Sequence, residues 1–286
     1  MEYVIAVDLG ATNLRVGIVS SNLDIIEVNR ERTVKNDKDA LIKQICRLIE
    51  TLPYEKYGVK KVGISACGLI ERNYIRILPN LGVRDLDLKK IIEERYPFRC
   101  EIKNDANCTA LAEATFGASK DVPDSFFVTI SSGIGGCLIY DHQMVDLAFE
   151  IGHTLIGYRH QFEEFEKIAS GNGIVKLCRD NYLIVENAQE FFTLCRAKDP
   201  TALNVLDEWK KIVSLYLANL QMEYNTDKIV LSGGVMKSSD LFIDDLEIKS
   251  NALIERFPLK PVKIVLAQFD QDAGLMGGVS VALHIR

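Results

Sequence analysis

The sequence predicts an α/β protein of two lobes that share one plan. Strand-like and helix-like segments alternate along the chain, which predicts mostly parallel or mixed sheets covered by helices. A unit of strand, glycine-rich turn and strand opens the chain at 3–26 and returns in outline at 124–145. The length of 286 residues is enough for a large core in two lobes rather than one. These features together predict an internally duplicated fold.

The first lobe is expected over residues 1–117. Apolar, β-branched runs predict its strands, and the first two are joined by the short loop "GATN". Leu41, Ile45 and Leu48 fall on one helical face, and Asp37 or Asp39 stands near the start of that helix. The expected strands are 4–10, 14–20, 25–34, 59–65 and 98–103, and the expected helices are 37–52, 87–96 and 106–117.

The second lobe is expected over residues 118–271. No proline- or serine-rich linker precedes it, so a hinge is expected at about 115–122. After the repeated unit, helical periodicity runs from about 162 to 224. Strands are expected at 228–235 and 262–268, with a helix between them. The last helix, within 272–286, is expected to pack back on the first lobe.

Charge and composition narrow the class of protein. The formal net charge is −6, and no cluster of Lys and Arg offsets it, which argues against nucleic acid and anionic membrane as partners. No apolar run approaches the ~18 residues of a membrane span. The N-terminus begins at once with a strand-like run, so no signal peptide is expected and the protein is expected to be cytoplasmic. The seven cysteines stand apart from one another, which argues against disulfides and a zinc knuckle.

The loop "DLGATN" has the composition of a phosphate-binding turn. Gly10 and its small neighbours let backbone amides approach an anion, and Thr12 and Asn13 add polar side chains. Asp8 would hold a hydrated Mg²⁺ rather than touch phosphate, because two anions repel. A simple hairpin turn explains this loop equally well when it is taken alone.

Two further glycine loops favour the phosphate interpretation. The stretch "TISSGIGG" again lies between two strands, so two such loops from two lobes can clasp one polyphosphate. A glycine pair at the end of a later strand leaves room for a flat ligand such as adenine. None of these loops is a Walker loop or a Rossmann fingerprint. The candidate nucleotide-binding residues here are Ser132, Gly133, Gly135, Gly136, Gly233 and Gly234.

Two acidic stretches carry candidate chemistry. Asp105 stands between a strand and a helix, where an α/β protein presents reactive groups; a plain helix N-cap is the competing interpretation. In "EIGH", Glu150 and His153 stand three apart, and Glu166 follows. Carboxylates and an imidazole suit hydrogen bonding to vicinal hydroxyls of a neutral sugar. Metal binding is the rival, but no cysteine lies between 137 and 178 to complete a zinc site.

Taken together, these motifs resemble the ROK family of sugar kinases and repressors, within the actin/hexokinase-like ATPase superfamily. The motifs that carry the resemblance, in chain order, are "DLGATNLRVGIV", "ILPNLG", "NDANCTALAE", "TISSGIGGCLI", "EIGH", "IVLSGGV" and "DAGLMGGVSVAL". The resemblance covers nearly the whole chain. It implies a two-lobed, ribonuclease H-like α/β fold with duplicated mixed sheets and a cleft between the lobes.

The resemblance also implies an activity and residue roles. An ATP:hexose 6-phosphotransferase using Mg²⁺ is expected, with glucose as the first substrate and a homodimer as the assembly. Asp105 would be the general base for the attacking 6-hydroxyl, and its place at a helix N-terminus is expected to favour the ionised carboxylate. The sugar would be bound by Asn80, Asn104, Glu150, His153 and Glu166.

This chain departs from the family pattern at two points. The cysteine-rich zinc motif that normally follows "EIGH" is replaced by "TLIGYRHQFEEF", so no zinc site is expected and the segment must be held in another way. Cys67 stands where the family usually has proline, which leaves the shape of that sugar-facing turn open.

Two alternatives stay open at this point. A kinase for N-acetylmannosamine or another N-acetylhexosamine is the runner-up, since some of these also lack the zinc motif. A sugar-responsive regulator is the other class, but family repressors carry a helix-turn-helix ahead of the first motif. Here only seven residues precede Asp8, and a non-catalytic sensor would not need Asp105.

Overall fold

The computed structural model of the chain describes residues 1–147, 149–269 and 272–285. The strands are β1 (Tyr3–Leu9), β2 (Asn13–Ser20), β3 (Ile25–Arg32), β4 (Lys61–Ala66), β5 (Leu69–Glu71), β6 (Tyr74–Leu78), β7 (Val83–Leu86), β8 (Arg99–Asn104), β9 (Ser125–Ile130), β10 (Ile134–Tyr140), β11 (Gln143–Met144), β12 (Leu155–Tyr158), β13 (Gln161–Glu164), β14 (Lys228–Ser232) and β15 (Ile264–Leu266). The α-helices are α1 (Lys38–Glu50), α2 (Leu88–Arg95), α3 (Asp105–Thr115), α4 (Glu166–Ala169), α5 (Gly171–Asp180), α6 (Ala188–Arg196), α7 (Pro200–Tyr224), α8 (Ile243–Ile254) and α9 (Ala273–Leu283).

The chain divides into two compact units, Met1–Thr115 with Phe269–Arg286, and Phe116–Gln268. Each unit contains a five-stranded mixed sheet of the same plan. The order is β3-β2-β1-β4-β8 in the first unit and β11-β10-β9-β14-β15 in the second. In both sheets three antiparallel strands are followed by two that pair in parallel. The α/β fold class expected from the sequence, with duplicated mixed sheets, is therefore confirmed.

The first unit packs an apolar core between its sheet and helix α1. Asp37 caps this helix, since its side chain accepts a hydrogen bond from the backbone N–H of Ala40 at 2.9 Å. Leu41, Ile45 and Ile49 of α1 are fully buried. The core therefore uses the helical face that the sequence pattern indicates.

Helix α9 packs on the other side of this sheet, so closely that its backbone contacts the backbone of β4. A Cβ atom on Gly63 of β4 would lie 2.6 Å from the amide nitrogen of Ala282, and one on Gly278 would lie 2.9 Å from the carbonyl oxygen of Gly63. Glycine at both positions is what permits the approach. The helix runs along β1 and β4 and thereby brings its first turn to the carboxyl end of β1.

The second unit buries a larger aromatic core around the long helix α7. Trp209 is fully buried, and its indole N–H donates to the carbonyl oxygen of Ala169 at 2.9 Å. Phe242 meets the Trp209 ring edge-on at a centroid distance of 4.8 Å. Within the described residues, none of the helices combines the length and the apolar character that crossing a membrane requires.

The expected helical run from 162 to 224 is wrong at its start. Residues Gln161–Glu164 form β13, which pairs antiparallel with β12. The two-residue turn between them is Arg159–His160, and both residues have positive φ, 45° and 68°. Four residues are too few to show a strand period, and the turn lacks the glycine that usually marks such a hairpin. The three-stranded sheet β5-β6-β7 is a further feature that the sequence patterns missed.

Candidate active site

In the first unit, the loop after β1 is fixed by its own hairpin and by Thr33. The backbone N–H of Gly10 donates to the carbonyl oxygen of Asn13 at 3.1 Å. The Thr33 hydroxyl donates to the carbonyl oxygen of Gly10 at 2.8 Å, and its N–H donates to that of Thr12 at 3.0 Å. Thr12 itself is exposed, so its hydroxyl is available to a ligand.

Asp8 at the end of β1 is held by a cation that sequence reasoning missed. Nε and Nη2 of Arg15 both lie 2.9 Å from Oδ2 of Asp8, and Nη1 lies 2.8 Å from Oδ1 of Asp272. Asp272 stands just ahead of α9, and a Cβ atom on Gly274 would lie 2.5 Å from Cγ of Asp8. Burial raises the pKa of Asp8 although Arg15 opposes the shift. The antiparallel register places Arg15 opposite Asp8, which is the signal that identifies the pair.

Asn104 and Asp105 lie where β8 passes into α3. Oδ1 of Asn104 accepts from the backbone N–H of Ala106 at 2.9 Å, and its Nδ2 donates to the carbonyl oxygen of Gly68 at 2.9 Å. Oδ1 of Asp105 also accepts from Ala106, at 3.0 Å, while the residue remains exposed. Asn104 thus takes the capping role at the start of α3, and its side chain also hydrogen-bonds to the Asp105 carboxylate.

The pKa of Asp105 moves in the direction opposite to the sequence-based expectation. Desolvation by the protein atoms around the carboxylate raises it, and the negative charge of Asp8 raises it further. The hydrogen bond from Ala106 lowers the pKa but does not reverse the net shift. The expectation counted only the helix N-terminus, whereas crowding and a neighbouring acid dominate. A raised pKa makes Asp105 a stronger base once it is ionised.

Cys67 and Asn80 complete the candidates in this unit. Burial, followed by the charge of Asp105, raises the pKa of the Cys67 thiol to about 11, so Cys67 is a neutral neighbour of the acid. Asn80 is exposed in the 3₁₀ turn Pro79–Leu81. Within the described residues its side chain makes no hydrogen bond, and nothing ties it to Asn104 or Asp105.

In the second unit, two glycine loops are joined by Ser131. Its hydroxyl accepts from the backbone N–H of Gly234 at 3.1 Å, and its own N–H donates to the carbonyl oxygen of Gly133 at 2.8 Å. Gly233 has φ +99°, and a Cβ atom there would lie 2.6 Å from the carbonyl carbon of Ile130. Only glycine fits that position, and next to it Gly234 faces open space. Ser132 is exposed at the same edge.

The last two glycines of the second loop lie inside β10 rather than in the turn. Gly135 pairs with Thr129 of β9. Gly136 is buried, and a Cβ atom on it would lie 2.9 Å from Cε1 of Phe126. Packing of the sheet against its core accounts for the glycine at position 136.

Glu166 lies against the second glycine loop. Its Oε2 accepts from the backbone N–H of Ile134 at 2.6 Å. A Cβ atom would lie 2.6 Å from this oxygen if placed on Gly133, and 3.1 Å if placed on Gly152. The structure therefore brings the candidate sugar-binding residue Glu166 together with the turn that contains Gly133 and with the "EIGH" stretch.

Glu150 directly precedes the 3₁₀ turn Ile151–His153, His153 is the last residue of that turn, and both are exposed. Nδ1 of His153 lies 2.7 Å from Oε2 of Glu164, a residue that belongs to none of the sequence motifs. The hydrogen bond to Glu164, aided by the charges of Glu166 and Glu150, raises the pKa of His153. One imidazole thus stands among three carboxylates.

The segment 154–166 is held by a hairpin and by packing. Phe165 stacks on Tyr216 with ring centroids 3.9 Å apart, and the Thr154 and Tyr216 hydroxyls lie 3.1 Å apart. Glu163 forms an ion pair with Lys176. Within the described part of the chain, no group of three or more His, Cys, Asp or Glu residues could hold a metal ion. The hairpin, the Phe165–Tyr216 stack and the Glu163–Lys176 ion pair therefore hold this segment in place of the zinc site that the sequence lacks.

Comparison with known proteins places this arrangement in a family. The family model described as "ROK family" matches residues 4–285, almost the full chain. The chain belongs to the ROK family. A glucokinase from Halalkalibacterium halodurans is 26% identical over 97% of this chain and 94% of that protein. A xylose repressor from Bacillus subtilis is 25% identical over 98% of this chain and 77% of that protein.

Solved structures show the same fold. A ROK hexokinase from Thermus thermophilus superposes with a TM-score of 0.84, covers 98% of each chain and is 24% identical. A ROK family glucokinase from Streptomyces griseus, in complex with glucose and AMPPNP, has a TM-score of 0.72 at 22% identity and covers 99% and 100% of the two chains. A putative N-acetylmannosamine kinase from Listeria monocytogenes has a TM-score of 0.75 at 24% identity and covers 97% of each. This ROK protein therefore has the actin-like ATPase fold.

Proposed function

We propose that this ROK protein is an ATP-dependent sugar kinase that phosphorylates the 6-hydroxyl of a hexose, with glucose as the first candidate. The observation that carries the proposal is Asp105, an exposed carboxylate at the start of α3 whose pKa is raised by desolvation and by the nearby charge of Asp8. In a protein that only senses a sugar, no chemistry would require such a base. The glucokinase and hexokinase relatives support the class of substrate.

The proposed roles follow from the chemistry of each side chain. Asp105 accepts the proton of the attacking hydroxyl, and Asn104, fixed by Gly68, orients the sugar. Glu150, His153 and Glu166 bind further sugar hydroxyls, with Asn80 as an additional exposed amide. Phosphoryl transfer depends mainly on positioning and charge neutralisation, so one base and several rigid loops are a sufficient set.

The glycine loops are proposed to bind ATP. The turn at Gly10, Thr12 and Asn13 and the linked loops at Ser132–Gly133 and Gly233–Gly234 supply backbone N–H groups and hydroxyls for phosphate. The AMPPNP complex of the Streptomyces griseus relative supports a nucleotide ligand. Ser131 adds rigidity, because it joins the two loops of the second unit.

The residues present fit a magnesium ion that arrives with ATP. Asp8 offers hard carboxylate oxygens, and Asp105 close by adds negative charge. Mg²⁺ keeps several waters and needs only one or two protein carboxylates, so Asp8 through water is a sufficient ligand set. When bound, the ion neutralises charge on the phosphates. Arg15, which now neutralises Asp8, is the group that would have to share this carboxylate.

The test is ADP release by the purified protein with Mg·ATP and glucose, N-acetylglucosamine or N-acetylmannosamine. Turnover that favours glucose supports a glucokinase. Preference for N-acetylmannosamine or N-acetylglucosamine would support the second candidate, an N-acetylhexosamine kinase, which the similarity to the Listeria monocytogenes structure favours. Turnover of no sugar, with sugar binding retained, would support a regulator and overturn the kinase proposal.

We also propose a cytoplasmic homodimer, which cell fractionation and light scattering would test.

Removal of metal gives a separate expected result. Because the segment 154–166 is held by the hairpin and by Tyr216, chelation followed by restoration of Mg²⁺ is expected to leave kinase activity unchanged. Activity and elemental analysis of the treated protein check this. Lasting loss of activity that zinc alone restores would contradict it.

A further inference from the structure

The contact between His153 and Glu164 is built by the hairpin β12–β13. Glu164 is the last residue of β13, and the register pairs it with Leu155, two residues after His153. The strand return thus brings a carboxylate back to the imidazole, with Nδ1 and Oε2 2.7 Å apart. The other oxygen of Glu164 accepts from Nζ of Lys167 at 2.6 Å. The carboxylate is therefore held from two sides.

This geometry decides which ring nitrogen carries the proton. An ionised carboxylate only accepts hydrogen bonds, so Nδ1 of His153 is the protonated nitrogen of the neutral ring. Its Nε2 then carries a lone pair and accepts a hydrogen bond. The His153 side chain is 60% exposed, which leaves Nε2 accessible to a ligand. On protonation Nε2 becomes a donor instead.

The surrounding charges set the pH at which Nε2 of His153 becomes protonated. The hydrogen bond to Glu164 is the largest cause that raises the pKa of His153, and Glu166 and Glu150 add to it. The pKa of Glu164 is lowered, first by Lys167 and then by His153. The ring is therefore protonated at a higher pH than a free histidine, and Nε2 is an acceptor only above that raised pKa.

We propose that Glu164 is a positioning residue for His153, which fixes the ring and its Nδ1–H tautomer so that Nε2 accepts a hydrogen bond from a sugar hydroxyl. The inference rests on the proposed sugar-binding function and deepens it. Glu164 need not touch the sugar. It acts through the orientation and the protonation state of the residue that does.

Glu164→Gln and the matched control Glu163→Gln test the proposal. Both changes remove one carboxylate charge from the same strand, but Glu163 lies on the opposite face of the hairpin and pairs with Lys176. At a pH well above the raised pKa of His153, the sugar KM of Glu164→Gln is expected to rise about tenfold, because the hydrogen bond to a charged group is lost. The amide NH₂ of glutamine can also donate to Nδ1, which moves the ring proton to Nε2. The turnover number and the KM for ATP are expected to stay unchanged. Glu163→Gln removes an ion pair of the segment but no contact of His153, so it is expected to keep the wild-type sugar KM and the wild-type pH midpoint.

The pH dependence supplies a readout that a purely structural role would not move. In wild type the sugar KM is expected to rise as pH falls through the raised pKa of His153, because Nε2 turns from acceptor to donor. In Glu164→Gln this midpoint moves to lower pH, since the charge that favours the imidazolium is gone. Nitrogen-15 NMR of the four histidines, with His153 assigned by its loss in His153→Gln, follows the same midpoint without turnover.

The outcomes separate the inference from the proposed function. A wild-type protein that turns over sugar, with an unchanged sugar KM in Glu164→Gln, would overturn the inference alone, even if the NMR midpoint moves. If wild type binds sugar without turnover, calorimetric Kd replaces KM and the kinase proposal alone fails. A wild-type protein that binds no sugar would overturn both.

Discussion

Asp105→Asn is expected to lower the turnover number by about 10²- to 10⁴-fold while the KM for the sugar changes little. The asparagine oxygen can keep the hydrogen bond that Oδ1 of Asp105 accepts from Ala106, so the local backbone is preserved. Asn104 remains anchored to Gly68, so the proposed sugar contact is preserved too. What is lost is the group that accepts the proton. Steady-state kinetics at saturating Mg·ATP measure the effect.

The pH profile links this loss to a base. Asp105 must be ionised to accept a proton, and its pKa is raised, so wild-type turnover is expected to fall on the acid side at a pH above the ordinary aspartate range. Residual activity of Asp105→Asn should lack this acid limb. Asp39→Asn is the matched control, because Asp39 is also an exposed acid in the first turn of a helix but belongs to α1 and has no role in the proposed site. Comparable turnover in Asp105→Asn and wild type would refute the base assignment.

Stability measurements on Asp105→Asn would distinguish loss of the base from unfolding as the cause of the lower turnover number. A pKa raised by folding means that the ionised form is less favourable in the folded than in the unfolded chain. Relative to the ionised form, protonated Asp105 stabilises the folded chain at low pH, and this contribution to the free energy of unfolding is lost as pH rises through the folded-state pKa. At neutral pH the charge of Asp105 therefore works against folding, and Asp105→Asn is expected to be at least as stable as wild type. A lower denaturation midpoint for the mutant would contradict this.

The parts of the fold that sequence patterns predicted are those with strong local signals. The strands on either side of Gly10 and Gly133 are long apolar runs joined by glycine turns, and each opens one five-stranded sheet. Helix α1 is indicated in the sequence by the capping residue Asp37 and by a single apolar face. Asp105 was selected because it follows a strand and opens a helix, and the structure places it there.

The missed hairpins share a physical cause. β5–β6 turns at Arg72–Asn73, and β12–β13 turns at Arg159–His160, with positive φ at all four residues. Such turns usually contain glycine, and neither pair does, so the turn signal is weak in one pair, which has only Asn73, and lacking in the other.

Arg15 and Glu164 were missed for a different reason. Each acts by a contact with a residue that only strand pairing brings near, Arg15 with Asp8 and Glu164 with His153. No spacing rule in one sequence encodes a contact of that kind until the register is known.

Gly63→Ala is expected to destabilise the protein by about 3 kcal/mol, at the upper end of the cost of overpacking a core. The new methyl group would meet the backbone of α9, at the carbonyl oxygen of Gly278 and the amide nitrogen of Ala282. A side chain can change rotamer to make room, but the backbone of a buried helix can only move as a whole. Chemical denaturation followed by circular dichroism measures the change.

Gly157→Ala is the matched control, because Gly157 also lies in a strand but a Cβ atom there would meet nothing within 4 Å. It is expected to leave the denaturation midpoint within about 0.5 kcal/mol of wild type. Equal stabilities for the two variants would contradict the close approach of α9.

The same helix connects Gly63 to the chemistry. The start of α9 places Asp272 on Arg15 and Gly274 against the Asp8 carboxylate, so a shift of α9 disturbs the Asp8–Arg15 pair. Gly63→Ala is therefore expected to raise the KM for Mg·ATP as well, although position 63 lies in the middle of β4 and touches no proposed ligand. If only stability falls, the position of α9 does not control Asp8. If both change together, the glycine contact between β4 and α9 is part of what positions the proposed nucleotide site.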